Sequence, residues 1–283
     1  MGQNPVKQSF GFALSGGGAK AFAQLGAIKA LEEKGIKPSY FSGSSMGAVN
    51  SILLSAGYTV DEVIAFYKHT PRKNLFAFTI LGVSNKPIGT LIQKMCEAKG
   101  FSRLEQLPLP VYCGSTVLKT RQKVTLKLGP ISEVVEATSS AYGIRKTLIK
   151  DIAIRRSVIK QTKGLYGRSR TLYLEDSCYT ANVPFEMLDE IRTDYPDLAG
   201  EDYYDFAFDV IPSYHPTIFM GLNSFNKAVY VSDFNRRTFF DLKGHGTYFE
   251  LDVGVKQIAF SKKAVDKGVR FGFNYINKFL HEQ

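Results

Sequence analysis

Two glycine-rich turns, each set between an apolar run and a stretch with helical spacing, constrain what this chain can fold into. The first, Ser15-Gly16-Gly17-Gly18-Ala19-Lys20, follows the apolar segment Phe10 to Ser15. Behind it Phe22, Leu25, Ile28 and Leu31 recur every three or four residues, which places them on one face of a helix over Ala21 to Lys34. The second turn, Gly43-Ser44-Ser45-Met46-Gly47, follows the short apolar stretch Tyr40-Phe41 and opens a small-residue helix over Met46 to Ala56. Gly35 lies between the two units, where the end of a helix favours glycine. A strand–helix–strand–helix succession this short implies parallel strands, because a helical crossover brings the chain back in its original direction. The sequence therefore predicts an α/β fold, with a central, mostly parallel sheet flanked by helices and the Gly43–Gly47 turn after the second strand.

Farther along, helical spacing recurs over Thr59 to Tyr67, Gly89 to Ala98 and Ile131 to Ala141. Val111 to Leu118 and Lys123 to Leu128 read as two strands joined by a turn at Thr120-Arg121-Gln122, and Thr171 to Glu175 and Phe206 to Ile211 as two more. The last segment, Lys262 to Leu280, aligns Val265, Val269, Phe273, Ile276 and Leu280 on one helix face, which is expected to dock against the sheet. With no repeat, low-complexity tract or linker, the 283 residues are expected to form a single domain.

Composition narrows the function. A chain with 44% hydrophobic and 22% charged residues can bury a sizeable core, so general disorder is excluded. No stretch approaches the roughly 20 apolar residues of a membrane-spanning helix, and the polar start lacks a signal peptide, so a cytoplasmic protein is expected, at most peripheral at a membrane. Cys96, Cys113 and Cys178 form no C-x-x-C pair, which gives no support to a disulfide framework or a zinc site. The formal charge of +10 is concentrated between Arg145 and Arg170, where nine basic residues stand against the single acid Asp151. This basic segment, read as a lid-like insert or a solvated loop, would attract anions, and Arg155 and Arg156 are its candidate head-group contacts.

The chemistry centres on Ser45. A hydroxyl attacks an ester only when a base takes its proton and donors hold the oxyanion that forms. G-x-S-x-G provides a sharp strand-to-helix turn that projects the serine, with the following helix aiming its positive end at the reacting centre. Chance alone would place this motif in roughly one chain in six of this composition, so its context matters more than its spelling. The context is the first glycine turn, which two parallel strands would bring beside Ser45. There the backbone of Gly16, Gly17, Gly18 and Ala19 forms a candidate oxyanion hole. The same loop loosely matches a dinucleotide fingerprint, but the second strand ends in Phe41-Ser42-Gly43-Ser44 without the acidic residue that would hold a ribose. No cofactor or metal is expected. Histidines at positions 69, 215, 245 and 281 leave a Ser-Asp-His order such as Ser45, Asp176, His215 open, although a nucleophile after only two strands is early for an α/β-hydrolase.

Gly16 to Lys20, Gln24 to Glu33 and Gly43 to Ala48 together resemble the patatin-like phospholipases, the bacterial branch in particular. The resemblance is dense over residues 10 to 57. It implies a Ser-Asp dyad whose aspartate opens an Asp-Gly-Gly or Asp-Gly-Ala motif followed by Asn-x-Pro. Asp176-Ser177-Cys178, then Asn182-Val183-Pro184, is similar, which makes Asp176 the candidate base. Ala137 to Gly143 resembles a weakened form of a further family stretch. Three departures stand out: Ser177 for glycine, Ala21 for glycine, and the long basic segment. A positive φ at position 177 would make serine cost on the order of 1 kcal/mol, whereas a negative φ would cost nothing.

The resemblance implies a serine lipid acyl hydrolase of phospholipase A, lysophospholipase or esterase type, working through an acyl-enzyme on Ser45. Its substrate would be a phospholipid or another acyl-ester lipid, with Lys20 a further candidate for the head group. Contact with an anionic membrane is the expected association, and nucleic acid is not an expected partner. Two alternatives accompany this reading: a weakened module that binds an anionic lipid or partner through the basic segment, and the histidine triad.

Overall fold

The computed structural model describes residues 8–79, 82–141, 143–163, 171–199, 202–211 and 246–282. His215, His245, Arg168, Arg170 and Tyr142 lie outside the described residues. The strands are β1 (Ser9–Leu14), β2 (Tyr40–Gly43), β3 (Ala77–Thr79), β4 (Gly82–Ser84), β5 (Val111–Val117), β6 (Lys123–Leu126), β7 (Thr147–Leu148), β8 (Tyr173–Asp176), β9 (Tyr203–Asp209) and β10 (Gly246–Glu250). The helices are α1 (Phe22–Glu33), α2 (Met46–Ser55), α3 (Val60–His69), α4 (Arg72–Leu75), α5 (Lys86–Ala98), α6 (Ile131–Thr138), α7 (Ile152–Gln161), α8 (Glu186–Asp194), α9 (Pro196–Ala199) and, numbered here α10, Lys262–His281.

The main sheet runs β10-β9-β1-β2-β5-β8-β7, with β6 also paired to β5. From β10 to β5 every neighbour is parallel, and the antiparallel pairs are confined to the β5, β6, β7 and β8 side. The predicted mostly parallel α/β sheet is therefore present. Alternation along β1 sends Phe12 and Leu14 into the larger core, where α1, α2 and α3 contribute, and Ala13 to the opposite face against Met187, Leu188 and Ile191 of α8. On the larger face Phe12 meets Phe206 edge to face at 5.4 Å, and Phe206 stacks on Phe249 at 6.0 Å. On the α8 face Arg192 is held by Asp205 at 2.7 Å and by the Tyr40 hydroxyl at 2.8 Å, and it stacks on Tyr203.

Register places the chemistry. Leu14 pairs with Gly43, so both glycine turns leave the same end of adjacent parallel strands, and the Ser44 N–H donates to the Leu14 carbonyl at 3.0 Å. The predicted β5–β6 hairpin is present, with Arg121 in a left-handed turn at φ 57°.

Two regions differ from expectation. The described part of the basic stretch carries β7 and α7, with Ile154 and Val158 buried, rather than forming a loop. Apolar residues one turn apart inside a cationic run are enough to seat a helix. The terminal helix α10 docks as expected but mainly on α1, and it buries Ala264, Val265, Gly268, Gly272 and Ile276. The two helices approach so closely that a Cβ on Gly26 would overlap the Val269 carbonyl, and one on Gly272 the Ala23 carbonyl. Toward its C-terminal end the helix also reaches the sheet, with Phe279 edge to face on Phe249 at 5.0 Å and Tyr275 at 6.3 Å.

Candidate active site

Ser45 stands between β2 and α2 at φ 51° and ψ −123°, a strained conformation for a residue with a side chain. The flanking glycines let the turn close. A Cβ on Gly43 would run into Ala48, and one on Gly47 into the carbonyls of Leu14 and Ser15. Thr138 accepts the Ser45 N–H through Oγ1 at 3.1 Å, which fixes the turn from the end of α6. Every residue of α2 is buried behind Ser45, while Ser45 itself is partly exposed.

The first glycine turn lies alongside. Its four residues have different duties: the Gly16 N–H donates to the Asn182 carbonyl at 3.2 Å and the Ala19 N–H to the Gln257 carbonyl at 2.7 Å. Gly17 and Gly18 line the cavity, and their N–H groups have no acceptor among the described residues. Gly18 has φ 57°, and a Cβ there would strike the Gln257 carbonyl. The Met46 N–H, at the first position of α2, is likewise uncommitted and faces the same cavity.

Asp176 ends β8, fully buried. Its Oδ1 accepts the Cys178 N–H at 2.8 Å, and its Oδ2 has no hydrogen-bond partner among the described residues. Burial pushes its pKa up; the Cys178 N–H, the nearby Ser45 hydroxyl, the Cys178 thiol and the Lys146 ammonium pull the other way. Ser45 and Asp176 line one cavity of about 280 Å³, walled by Met46, Phe76, Val83, Ile144, Ile258 and Phe260. Ser177, where a glycine was the family expectation, begins a 3₁₀ turn and is not among the residues with positive φ. The serine therefore carries no backbone strain there. Its Oγ meets Ser44 Oγ at 2.5 Å.

The candidate head-group cations are dispersed. Lys20 is paired with Asp252 at 2.9 Å. Arg155 donates to the Ile149 carbonyl at 3.2 Å, and Arg156 lines a separate surface groove with Lys150, Ile152 and Lys160. Neither arginine lines the Ser45 cavity. The cation of the basic segment that does approach the site is Lys146. Its Nζ lies 2.9 Å from Glu175 Oε2 and donates to the Ser140 carbonyl at 3.0 Å, above the Tyr179 ring. Burial lowers its pKa to about 8 against the pull of the Asp176 carboxylate. Glu175, buried beside Asp176, also pairs with Arg121. Nothing in the spacing of the basic run singled out Lys146; its role depends on β7 pairing with β8. His69 and His281 line no part of the cavity.

Comparison with known proteins finds similarity to one family over most of this region. The family model described as Patatin-like phospholipase matches residues 12–189. An uncharacterized NTE family protein of Mycobacterium tuberculosis H37Rv is 29% identical over 135 residues, covering 47% of this chain and 37% of that one. A cUMP-AMP-activated phospholipase of Escherichia coli is 42% identical over 151 residues, covering 46% of each. The chain thus spans less than half the length of either relative. The crystal structure of VipD from Legionella pneumophila aligns over 96% of this chain and 67% of its own, with a TM-score of 0.45 and 11% identity.

Proposed function

The chain belongs to the patatin-like phospholipase family, and from that premise we propose that it is a serine lipid acyl hydrolase in which Ser45 is the nucleophile and Asp176 the base. The observation that carries the reading is the open acceptor site of Asp176 Oδ2, a buried carboxylate oxygen with no hydrogen-bond partner among the described residues, in a cavity that Ser45 also lines. A carboxylate of ordinary pKa is a weak base for a hydroxyl, and burial raises its affinity for the proton.

As Ser45 Oγ bonds to the ester carbonyl carbon, its proton passes to Asp176 Oδ2 and the carbonyl oxygen becomes an oxyanion. The free N–H groups of Gly17 and Gly18, with that of Met46, are placed to hold it, each donor being worth on the order of 10² to 10³ in rate. Gly16 and Ala19 shape the loop through their own hydrogen bonds. The oxyanion collapses, the alcohol leaves with the proton from Asp176, and the acyl group stays on Ser45. Asp176 then takes a proton from water as it attacks the acyl-enzyme and returns it to Ser45 Oγ as the second tetrahedral intermediate collapses and the fatty acid leaves.

The apolar walls favour an acyl chain, and the phospholipase named among the relatives favours a phospholipid ester. No helix among the described residues is long and apolar enough to cross a membrane. A fluorophosphonate probe tests the proposal: it should label Ser45, labelling should vanish in Ser45→Ala and Asp176→Asn, and it should survive His215→Ala and His245→Ala. No labelling of Ser45 with phospholipid or an anionic activator present would overturn the hydrolase reading, and loss in either histidine variant would replace the dyad by a triad.

A further inference from the structure

Described residues of three stretches far apart in sequence line the Ser45 cavity, and none of the three stretches contains an acidic residue. Residues 71–86 carry Arg72, Lys73 and Lys86; residues 141–150 carry Arg145, Lys146 and Lys150; residues 253–263 carry Lys256, Lys262 and Lys263. The fold draws them together. The Arg145 N–H donates to the Val83 carbonyl at 2.9 Å, and the Phe76 and Phe260 rings lie 5.5 Å apart. Lys146 is engaged by Glu175, but Arg72, Lys73, Arg145 and Lys256 have no acidic partner among the described residues. Arg72 faces the cavity and lies over the ring of Phe78.

Large apolar side chains are also exposed here. Phe78 is 69% exposed beside Arg72, and Ile258, part of the cavity wall, is 63% exposed. The cavity itself, at about 280 Å³, falls below the roughly 300–1,000 Å³ of clefts that enclose a drug-sized ligand, so most of a diacyl lipid must remain outside it. Exposed apolar residues among unpaired cations match the chemistry of an anionic bilayer, with an acyl boundary beneath a negative surface.

We propose that this rim docks onto anionic phospholipid bilayers, with Phe78 and Ile258 entering the acyl boundary and Arg72, Lys73, Arg145 and Lys256 meeting the head-group phosphates. The proposal rests on the reading that the Ser45 cavity takes acyl esters, which would then enter it directly from the bilayer. It moves the membrane contact from the whole of the Arg145–Arg170 stretch to the cavity mouth. A rival patch exists on α7, where Ile152 is 65% exposed near Arg156 and Lys160, but its groove shares no residue with the Ser45 cavity.

The chain has no tryptophan, so a single introduced one reports its own surroundings. Phe78→Trp and Ile152→Trp, each in a Ser45→Ala background, are mixed with vesicles of non-hydrolysable ether-linked phosphatidylcholine, with and without ether-linked phosphatidylglycerol. The emission of the residue-78 reporter should shift to the blue with the anionic vesicles, less so at high salt, while the residue-152 reporter stays unchanged. No shift at position 78, or a larger one at position 152, overturns the proposal. Lys73→Gln with Lys256→Gln, both outside the cavity lining, should weaken sedimentation with anionic vesicles about tenfold or more while leaving fluorophosphonate labelling of Ser45 intact. Vesicle binding as tight as that of the parent protein also overturns it. A chain that never labels but still shows the residue-78 shift would sink the hydrolase reading and leave the docking surface standing.

Discussion

The hydroxyls of Ser44 and Ser177 meet at 2.5 Å, joining the residue before Ser45 to the residue after Asp176. The two serines follow β2 and β8, with β5 between them in the sheet, and this buried bond ties their turns together over Gly114 of β5. A serine where the family expectation was glycine thus acts as a brace. Removing it in Ser177→Ala should cost about 1 kcal/mol in thermal or urea unfolding, the ordinary worth of a buried hydrogen bond, and slow Ser45 labelling less than tenfold. The Ser44→Ala, Ser177→Ala double variant should cost less than the sum of the singles. A hundredfold loss of labelling in Ser177→Ala would show that Ser177 takes part in the chemistry itself.

Asp176 trades stability for reactivity. Its folded pKa is raised by burial, so protonation favours the folded state; its favourable contribution is complete below the ordinary carboxylate pKa and is lost as pH rises through the folded value. Near neutral pH the buried charge is a burden. Asp176→Asn should therefore abolish labelling while raising stability by about 1 kcal/mol at pH 7, and the gain should disappear in acid. A variant less stable than the parent at neutral pH would contradict this account of the site.

Lys146 opposes the burial of Asp176. With the ammonium present the carboxylate is easier to ionise, so replacing it raises the Asp176 pKa further. The acid limb of a pH profile for Ser45 labelling should move to higher pH in Lys146→Gln, and Lys146→Arg should largely restore it. An acid limb unchanged in Lys146→Gln would show that Glu175 absorbs the whole of the lysine's charge.

At the α1–α10 contact the prediction is steric. Gly26→Ala and Gly272→Ala each place a methyl group on a backbone carbonyl of the other helix. Each should destabilise by about 2–3 kcal/mol, toward the upper end of overpacking costs, because backbone cannot rotate aside as a side chain does. Urea midpoints measure this. Gly35→Ala is the control for the method: φ is 81° there and nothing lies within reach of the added carbon, so any loss is conformational and about 1 kcal/mol.

The first 57 residues were legible because each turn states its own geometry. Glycines at 18, 43 and 47 stand where backbone must approach backbone, those at 16 and 17 where neighbouring side chains crowd in, and Phe22, Leu25, Ile28 and Leu31 mark the helix between the turns. The basic run was misleading for a physical reason. Ile154 and Val158 fix α7, but Arg155, Arg156 and Lys160 dominate its composition, and charge says how a surface is solvated without saying where on the fold it sits. The terminal helix shows a different limit. Periodicity counts bulky residues, so Phe273 and Leu280 were read as the buried stripe, while the closest packing is made by Gly268 and Gly272, which carry no hydrophobic signal. The β3–β4 hairpin, with Phe78 exposed, offered too short a pattern to register, yet it carries the most exposed large apolar side chain among the described residues.

The hydrogen bond from Ala19 to Gln257 joins the glycine loop near one end of the chain to a segment near the other, and the neighbouring Ile258 and Phe260 complete the cavity wall. A nascent chain that has emerged only through α8 already holds Ser45 and Asp176, but one side of their chamber has yet to be synthesised. The wall that encloses Ser45 and Asp176 is thus completed only when Gln257, Ile258 and Phe260 pack against the glycine loop.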